Sequence, residues 1–447
     1  MKIFETLESE VRYYCRAWPV VFDRARGSWL HDEDGRSYLD FFAGAGALNY
    51  GHNNPALKEP VLRYLADDRV IQSLDMFTVA KREFLAAFDE LVLRPRDLRY
   101  RVQFPGPGGA NAVEAALRLA HKATGRNDYV CFRDGFHGMT LGSMSVSGNP
   151  QRRAACAGRV TLAHCLAFDQ GTPDLAAEFA ELDRALAGEL GTGEPPAAVI
   201  VEAVQGDGGI NVARTDWLRG LAVRCRDHDV PLILDDVQMG CGRTGAFFSF
   251  EEAGIRPDIV CLSKSIGGYG LPVALTLIRD ELDVWEPGEH TGTFRGVTLG
   301  LVAGTAALRH YWADDRLQRS TLERGQHVAE MLAALRGAVD GTGIASRGRG
   351  LAHGLAFERP EIAHAVSRAA FEMRLLVETC GPDDGVVKLL PPLTITDDDL
   401  ETGLGRLADA VLSAAGGKGA GSRIAASRSP SGGARRALQG CERSRAD

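Results

Sequence analysis

The sequence predicts an α/β protein in which helices cover a mainly parallel sheet. Helical and strand patterns alternate from about residue 51 to residue 300, as they do when helices connect parallel strands. Short apolar runs of strand length occur at 198–201, 231–234, 259–262 and 273–276. Acidic side chains directly follow two of these runs, at Glu202 and Asp235. Ligands of open α/β sheets bind at that edge of the sheet.

The bulk composition is that of an ordinary globular protein. Of 447 residues, 45% are hydrophobic and 25% charged, which suits at least one large core and two lobes. The formal net charge of −8 disfavours binding to nucleic acid or to an anionic membrane surface. No apolar stretch approaches the length of a membrane span, and the nine cysteines form no Cys-x-x-Cys pair. We therefore expect a cytoplasmic protein with reduced thiols and no metal site.

Four segments are expected along the chain. Residues 1–50, predicted as a helix followed by short strands, belong to a small domain. Residues 51–304 form the large domain, and residues 305–415, with long amphipathic helices and one strand-like run, complete the small α+β domain. Residues 416–447 carry seven Lys or Arg against two acids among Gly, Ser and Ala. This composition predicts a disordered basic tail, with a basic interaction arm as the alternative.

Two positions carry the chemistry that pyridoxal phosphate requires. Asp235 ends an apolar strand, and Lys264 stands on a later loop between two serines. A lysine can hold this cofactor as a Schiff base, and an acid keeps the pyridine nitrogen protonated, so that the ring accepts electrons. Taken alone, the two residues are more simply a strand-ending acid and a solvated surface lysine. The cofactor interpretation depends on the segments that accompany them.

Further segments supply signals that fit the same site, although each is weak alone. Residues 104–111 are rich in glycine and open a helix, whose free N–H groups suit a phosphate. Phe136-His137-Gly138 offers an aromatic face for a flat ring. Residues 202–209 place acids at the carboxyl edge of the sheet, and the loop 290–296 adds hydroxyls and a cation. Separately, these are a tight turn, a core aromatic and solvated loops.

Together these segments resemble the class III aminotransferases of the fold-type I pyridoxal-phosphate superfamily. Within that family they are most similar to the diaminobutyrate–2-oxoglutarate transaminases of the ectoine-pathway type. The likeness extends over about residues 4–412 and is most specific in the runs 40–55, 238–245 and 284–290. It implies a mainly parallel sheet of the seven-stranded type in a large domain, with a smaller α+β domain.

The resemblance also implies a set of site residues. Lys264 and Asp235 are expected to be catalytic, as the lysine that carries the cofactor and the partner of the pyridine nitrogen. The expected cofactor-binding positions are Gly109, Ala110, Phe136, His137, Glu202, Asp235, Gln238, Lys264 and Thr293. Thr293 of the partner subunit would complete the phosphate cup, which implies a homodimer or a higher homo-oligomer. The expected substrate-binding positions are Asp207, Arg295 and Lys388.

Several positions depart from the family pattern. The family usually has hydroxyl side chains where this chain has Gly108 and Ala110, so the phosphate cup lacks two donors. Asp207 is one methylene shorter than the usual glutamate, and Lys388 stands where ornithine-type relatives carry an arginine. A lysine cannot hold a carboxylate with two parallel bonds as an arginine does.

The function implied is transfer of the amino group of L-glutamate to L-aspartate 4-semialdehyde, giving 2-oxoglutarate and L-2,4-diaminobutyrate. The partners are then a small-molecule amino donor and a semialdehyde acceptor. One alternative is a class III aminotransferase of another ω-amine, of the ornithine or 4-aminobutyrate type. Another is a pyridoxal-fold dimer without turnover, which the two missing hydroxyls favour and the retained Lys264, Asp235 and Gln238 disfavour.

Overall fold

The structure is a computed structural model. It describes residues 1–154, 158, 162–191, 193–339 and 343–415. The predicted basic tail, 416–447, lies outside the described residues.

The described chain contains short strands and mostly longer helices. The strands are β1 Phe22–Arg26, β2 Trp29–Asp32, β3 Ser37–Asp40, β4 Arg101–Gln103, β5 Tyr129–Phe132, β6 His164–Leu166, β7 Ala198–Val201, β8 Val204–Gln205, β9 Asn211–Val212, β10 Leu232–Asp235, β11 Ile259–Leu262, β12 Leu275–Ile278, β13 Ile344–Arg349, β14 Ala352–Phe357, β15 Leu375–Leu376, β16 Glu378–Cys380 and β17 Val386–Leu389. The helices are α1 Lys2–Leu7, α2 Tyr14–Ala17, α3 Ala43–Gly46, α4 Pro55–Ala66, α5 Val79–Phe88, α6 Gly109–Thr124, α7 Leu141–Ser145, α8 Pro150–Ala154, α9 Leu175–Leu186, α10 Thr215–Asp227, α11 Thr298–Tyr311, α12 Arg316–Ala338, α13 Pro360–Glu372 and α14 Asp397–Ala414.

A seven-stranded sheet forms the centre of the protein, and it confirms the predicted fold class. Its strand order is β4-β12-β11-β10-β7-β5-β6. The pairs from β11 through β10, β7 and β5 to β6 are parallel, whereas β12 runs antiparallel to both of its neighbours. One reversed strand in seven makes this a mainly parallel sheet, so most of its strand ends meet at one edge.

The predicted strands at 198–201 and 259–262 match β7 and β11, and the run 231–234 appears as β10, one residue later. The strand predicted at 273–276 is wrong by two residues, because β12 begins at Leu275. Its antiparallel partner β11 ends at Leu262, which pairs with Leu275, so no earlier residue of β12 finds a partner there. The neighbouring strand sets where β12 begins, so the periodicity of the sequence could not predict it.

The central strands separate two apolar layers. Every residue of β7, β10 and β11 is buried, as expected for parallel strands covered on both faces. Leu234 and Val260 pack into one hydrophobic cluster, while Ile233 and Ile259 pack into the cluster on the opposite face. Burial of each such aliphatic side chain stabilises the fold by about 1.5–3 kcal/mol. The sheet is therefore a rigid support for the residues at its ends.

Two smaller sheets carry residues from both ends of the described chain. One has the order β1-β2-β3-β15, in which β15 pairs in parallel with β3. The other has the order β13-β14-β17-β16 and is antiparallel throughout. We propose that these sheets, with 1–50 and 305–415, form the small domain. In the described part of the chain, no helix is both long and apolar enough to span a bilayer.

Candidate active site

Lys264 is positioned by the end of a central strand. β11 ends at Leu262, and the chain then enters a short 3₁₀ turn, Lys264–Gly267, rather than the open loop predicted from sequence. The backbone φ of Lys264 is 51°, in the left-handed region. Burial lowers the pKa of Lys264, while the negative charge of Asp207 opposes that shift. The amine therefore gives up its proton more readily than an exposed lysine would.

Asp235 ends the adjacent strand β10 and is fixed by two contacts. Its Oδ2 lies 2.7 Å from Nδ1 of His137, and its Oδ1 accepts a hydrogen bond of 3.1 Å from the backbone N–H of Val237. Burial alone would lower the pKa of His137, but the hydrogen bond and charge of Asp235 raise it above its usual value. The carboxylate of Asp235 is thus oriented by its neighbours and kept inside the protein.

Glu202 follows β7 and forms a second buried carboxyl group beside Asp235. Its two oxygens accept hydrogen bonds from the backbone N–H groups of Phe136, at 2.9 Å, and Gly206, at 3.2 Å. Burial raises the pKa of Glu202 to about 7, with the charge of His137 acting in the opposite direction and that of Asp235 in the same direction. This carboxyl group therefore fixes the loop that carries Phe136.

Gln238 joins the site to the N-terminal segment. Its Nε2 donates a hydrogen bond of 3.0 Å to the carbonyl oxygen of Ala45. That carbonyl belongs to α3, a single turn in which all four residues have positive φ, from 48° to 84°. The next carbonyl, of Gly46, accepts a hydrogen bond of 2.8 Å from Oγ of Ser265, the neighbour of Lys264. One left-handed turn therefore holds both Gln238 and the segment of Lys264.

The first turn of α6 reaches the same place. The first N–H groups of any helix have no partner within the helix, and the helix dipole makes them attractive to anions. A side chain at Gly109 would come within 2.8 Å of Cγ1 of Val237, so only glycine lets the helix approach this closely. The backbone N–H of Gly108 donates to Oδ1 of Asn111 at 3.0 Å, which fixes the start of the helix.

These elements enclose one cavity of about 170 Å³. Its lining consists of Gly109, Ala110, Phe136, His137, Gly138, Glu202, Asp207, Asp235, Val237, Gln238 and Lys264. The structure thus brings together nine of the residues that the sequence analysis singled out. Phe136 supplies the aromatic wall, and Glu202 and Asp235 line the cavity together with Lys264.

Thr293 and Arg295 do not line this cavity in the described part of a single chain. Thr293 is exposed, and its carbonyl oxygen accepts a hydrogen bond of 2.8 Å from Nε2 of Gln72. Nε of Arg295 donates to the carbonyl oxygen of Phe104 at 2.8 Å, and Arg295 lines a separate surface groove. Any contact of these two residues with the cavity requires another chain or a rearrangement.

Lys388 lies next to the cavity in a buried ion cluster. Its Nζ is 2.6 Å from Oδ1 of Asp207 and 2.9 Å from Oε1 of Glu378. The surrounding carboxylates, chiefly that of Asp207, raise the pKa of Lys388 well above its usual value despite burial. Sequence reasoning missed Glu378, because its only signal is the register of β16 against β17, which pairs Glu378 with Lys388. Ala45 and Ser265 were also missed.

The cavity fits a flat, anionic cofactor such as pyridoxal phosphate on three observations. Oε1 of Gln238 is buried and makes no hydrogen bond within the described residues, so it is available to a ligand hydroxyl. A side chain at Gly206 would meet this oxygen at 1.9 Å, so the glycine keeps the space open. A reactive amine, an oriented carboxylate and free helical N–H groups match the ends of such a cofactor. The donor set and the space therefore agree.

The fold is that of solved aminotransferases. Ornithine aminotransferase from Toxoplasma gondii has a similar fold, with a TM-score of 0.78 and 25% sequence identity over 92% of this chain and 94% of that chain. That enzyme was found with partial occupancy of pyridoxal phosphate in its active site. Residues 13–411 match the family model of the class-III aminotransferases, and the chain belongs to that family. Its cofactor is accordingly pyridoxal phosphate.

Two curated relatives are similar over nearly the whole length. Diaminobutyrate–2-oxoglutarate transaminase from Nocardia farcinica is 56% identical over 409 residues, which cover 92% of this chain and 93% of that protein. The corresponding transaminase from Streptomyces avermitilis is 54% identical over 412 residues, covering 92% and 97%.

Proposed function

We propose that this protein transfers the amino group of L-glutamate to L-aspartate 4-semialdehyde, giving 2-oxoglutarate and L-2,4-diaminobutyrate. The observation that carries the proposal is the whole-length similarity to transaminases of that name in a chain that places Lys264 and Asp235 in one cavity. Identity above one half over this length supports a shared substrate more strongly than the fold does, since one fold hosts many reactions.

Five groups would hold pyridoxal phosphate in this cavity. Lys264 would bind it covalently, Asp235 would face the ring nitrogen, and the first N–H groups of α6 would receive the phosphate. Phe136 would lie against the ring, and Gln238 would contact the ring hydroxyl. When bound, the cofactor supplies an electron-accepting ring that stabilises negative charge on the substrate carbon.

The residues of the chain then divide the remaining work. Nζ of Lys264 would take the proton from the substrate carbon that carries the amino group and deliver it to the aldehyde-derived carbon of the cofactor, because its lowered pKa favours the neutral amine that a base requires. The carboxylate of Asp235, oriented by His137, would keep a proton on the ring nitrogen. Glu202 would hold the loop of Phe136 through the backbone N–H of that residue.

We also propose a homodimer in which Thr293 of the partner subunit completes the phosphate site. In support, Thr293 is exposed in the single chain, near a set of apolar side chains that water would otherwise surround. This set, here called the apolar flap, consists of Val70, Ile71, Leu74, Met76, Phe77 and Val79. Exposed apolar groups of this density are typical of association surfaces.

The seven described cysteines are free thiols, which supports the proposed cytoplasmic location. Ectoine formation is the proposed use of the product.

A panel of amino acceptors tests the substrate assignment. Formation of 2-oxoglutarate from glutamate should be faster with aspartate 4-semialdehyde than with glutamate 5-semialdehyde or succinate semialdehyde, by roughly tenfold or more in kcat/KM. Equal or higher kcat/KM with either of the other two aldehydes would reject the assignment. Absence of turnover with all three, in protein that retains the cofactor, would instead favour the silent dimer.

A further inference from the structure

The ion cluster beside the cavity carries more negative than positive charge. The carboxylates of Asp207 and Glu378 share the single ammonium group of Lys388, whose side chain is 1% exposed. The positive charge of Lys264 also acts on Glu378, but that amine is committed to the cofactor. With Lys264 occupied, two anions and one cation remain beside the cavity, which Asp207 lines.

Glu378 is the second carboxylate at the ammonium group of Lys388. Asp207 accepts a hydrogen bond of 2.6 Å from Nζ of Lys388, which already neutralises that lysine. Oε1 of Glu378 lies 2.9 Å from the same nitrogen, so the two carboxylates share one ammonium group. The side chain of Glu378 is only 8% exposed, so water does little to compensate its charge. A buried carboxylate that shares its cation with a second carboxylate gains from a further donor.

Burial and charge also shift the pKa values of Glu378 and Tyr14. Burial raises the pKa of Glu378 even though the positive charge of Lys388 opposes the shift. Burial, followed by the negative charge of Glu378, also raises the pKa of Tyr14 on the N-terminal segment. The negative charge of this cluster therefore acts on groups of separate elements.

We propose that Glu378 determines specificity by accepting the ammonium group at the unreacting end of the semialdehyde or diaminobutyrate. This inference rests on the proposed function. Aspartate 4-semialdehyde reacts at its aldehyde carbon and presents both an ammonium and a carboxylate at its far end, whereas glutamate presents only a carboxylate there. The ammonium at the far end would supply a second cation, beside that of Lys388, to the two carboxylates of Asp207 and Glu378. Glu378 is accordingly needed for one substrate and dispensable for the other.

Binding of two unreactive probes separates these substrates without measuring turnover. L-Homoserine carries the far-end ammonium and carboxylate but has a hydroxyl in place of the reacting group, and glutarate carries carboxylates alone. Both are titrated calorimetrically into holoenzyme whose cofactor has been fixed by borohydride. Glu378→Gln is compared with the wild type and with Glu372→Gln, which removes a carboxylate of the same kind from an exposed position on α13.

Glu378→Gln should weaken homoserine binding by roughly ten- to a hundredfold, as expected for loss of one hydrogen bond between charged groups, with glutarate affinity nearly unchanged. Glu372→Gln should change neither affinity. If Glu378→Gln weakens the binding of both probes equally, or weakens the binding of neither, the assignment is overturned. If Glu378→Gln does not fold, Glu378→Asp is used in its place. This variant should weaken the binding of homoserine alone, and equal effects on the binding of both probes would again overturn the assignment.

The wild-type enzyme distinguishes failure of this inference from failure of the proposed function. If it does not convert aspartate 4-semialdehyde, the function is wrong. If it does convert that aldehyde and Glu378→Gln retains normal homoserine affinity, the function stands and Glu378 has no part in recognising the ammonium.

Discussion

Lys264 combines an unusual backbone conformation with a buried amine. A left-handed conformation in a residue other than glycine costs on the order of 1–3 kcal/mol and persists only where neighbours enforce it. Both neighbours of Lys264 are held by their hydroxyls: Oγ of Ser263 donates to the carbonyl of Val273, and Oγ of Ser265 donates to that of Gly46. These two hydrogen bonds hold the strained backbone and keep the side chain of Lys264 directed into the cavity.

Replacing Lys264 with alanine should remove both the covalent link that retains the cofactor and the amine that moves the proton. We expect turnover to fall by several orders of magnitude, because one side chain performs both tasks. Dialysed variant should also lose the visible absorbance that wild-type protein keeps. Retention of that absorbance together with normal turnover would remove Lys264 from the mechanism.

Glu202 should make stability depend on pH in a defined direction. Its pKa is raised from 4.5 to about 7 by burial, so the folded form binds a proton that the unfolded form releases between these values. The contribution of Glu202 to stability is therefore complete below its pKa in the unfolded chain. It is lost as the pH rises through its pKa in the folded protein.

Glu202→Gln lacks this titration. Melting temperatures of both proteins without cofactor, measured from about pH 5 to about pH 8, should show the wild type losing stability relative to the variant across that range. A constant difference between the two melting temperatures would mean that Glu202 keeps an ordinary pKa.

At the scale of elements, the strand ends were largely predictable and the turns were not. Glu202 and Asp235 could be placed at the edge of the sheet because apolar runs of strand length precede them. The left-handed turn α3 gave no local signal, since two of its four residues are alanines, which rarely adopt positive φ. Glu378 was equally hidden, because its partner lies in another strand and only register brings them together.

The start of α6 provides a prediction for cofactor affinity. Gly108 has a φ of −106°, so it accepts a side chain without backbone strain. The double substitution Gly108→Ser with Ala110→Ser should restore hydroxyl donors and tighten pyridoxal phosphate binding by roughly tenfold or more, each bond being worth about 1.5–3 kcal/mol. Titration of dialysed protein with the cofactor measures this. Ala56→Ser, in the first turn of α4, is the matched control, and equal affinity in all three proteins would contradict the prediction.

At the scale of the whole molecule, the apolar flap tests the proposed dimer. Phe77 is fully exposed in the single chain, and an aspartate there should be tolerated by a monomer and rejected by an apolar interface. Phe77→Asp should therefore shift the protein toward monomers in sedimentation velocity and lower its cofactor affinity.

Val223→Asp, at an exposed position of α10 away from the flap, is expected to change neither assembly nor cofactor affinity. If Phe77→Asp leaves the wild-type assembly state intact, the flap is not the contact surface between subunits. The sequence alone could not indicate this surface, because an apolar run such as 70–79 is equally compatible with burial in the core until the fold shows that its side chains are exposed.

The pairing of β3 with β15 has a consequence for the order of events during synthesis. Leu39 and Leu375 are register partners, although most of the chain separates them. While the ribosome is still producing the large domain, β3 has one side without its partner strand, and α3 lacks the support that fixes Gln238 and Ser265. Contacts this distant in sequence form slowly. The pocket therefore matures only after translation has passed residue 376, and nascent chains stalled earlier should be unable to retain the cofactor.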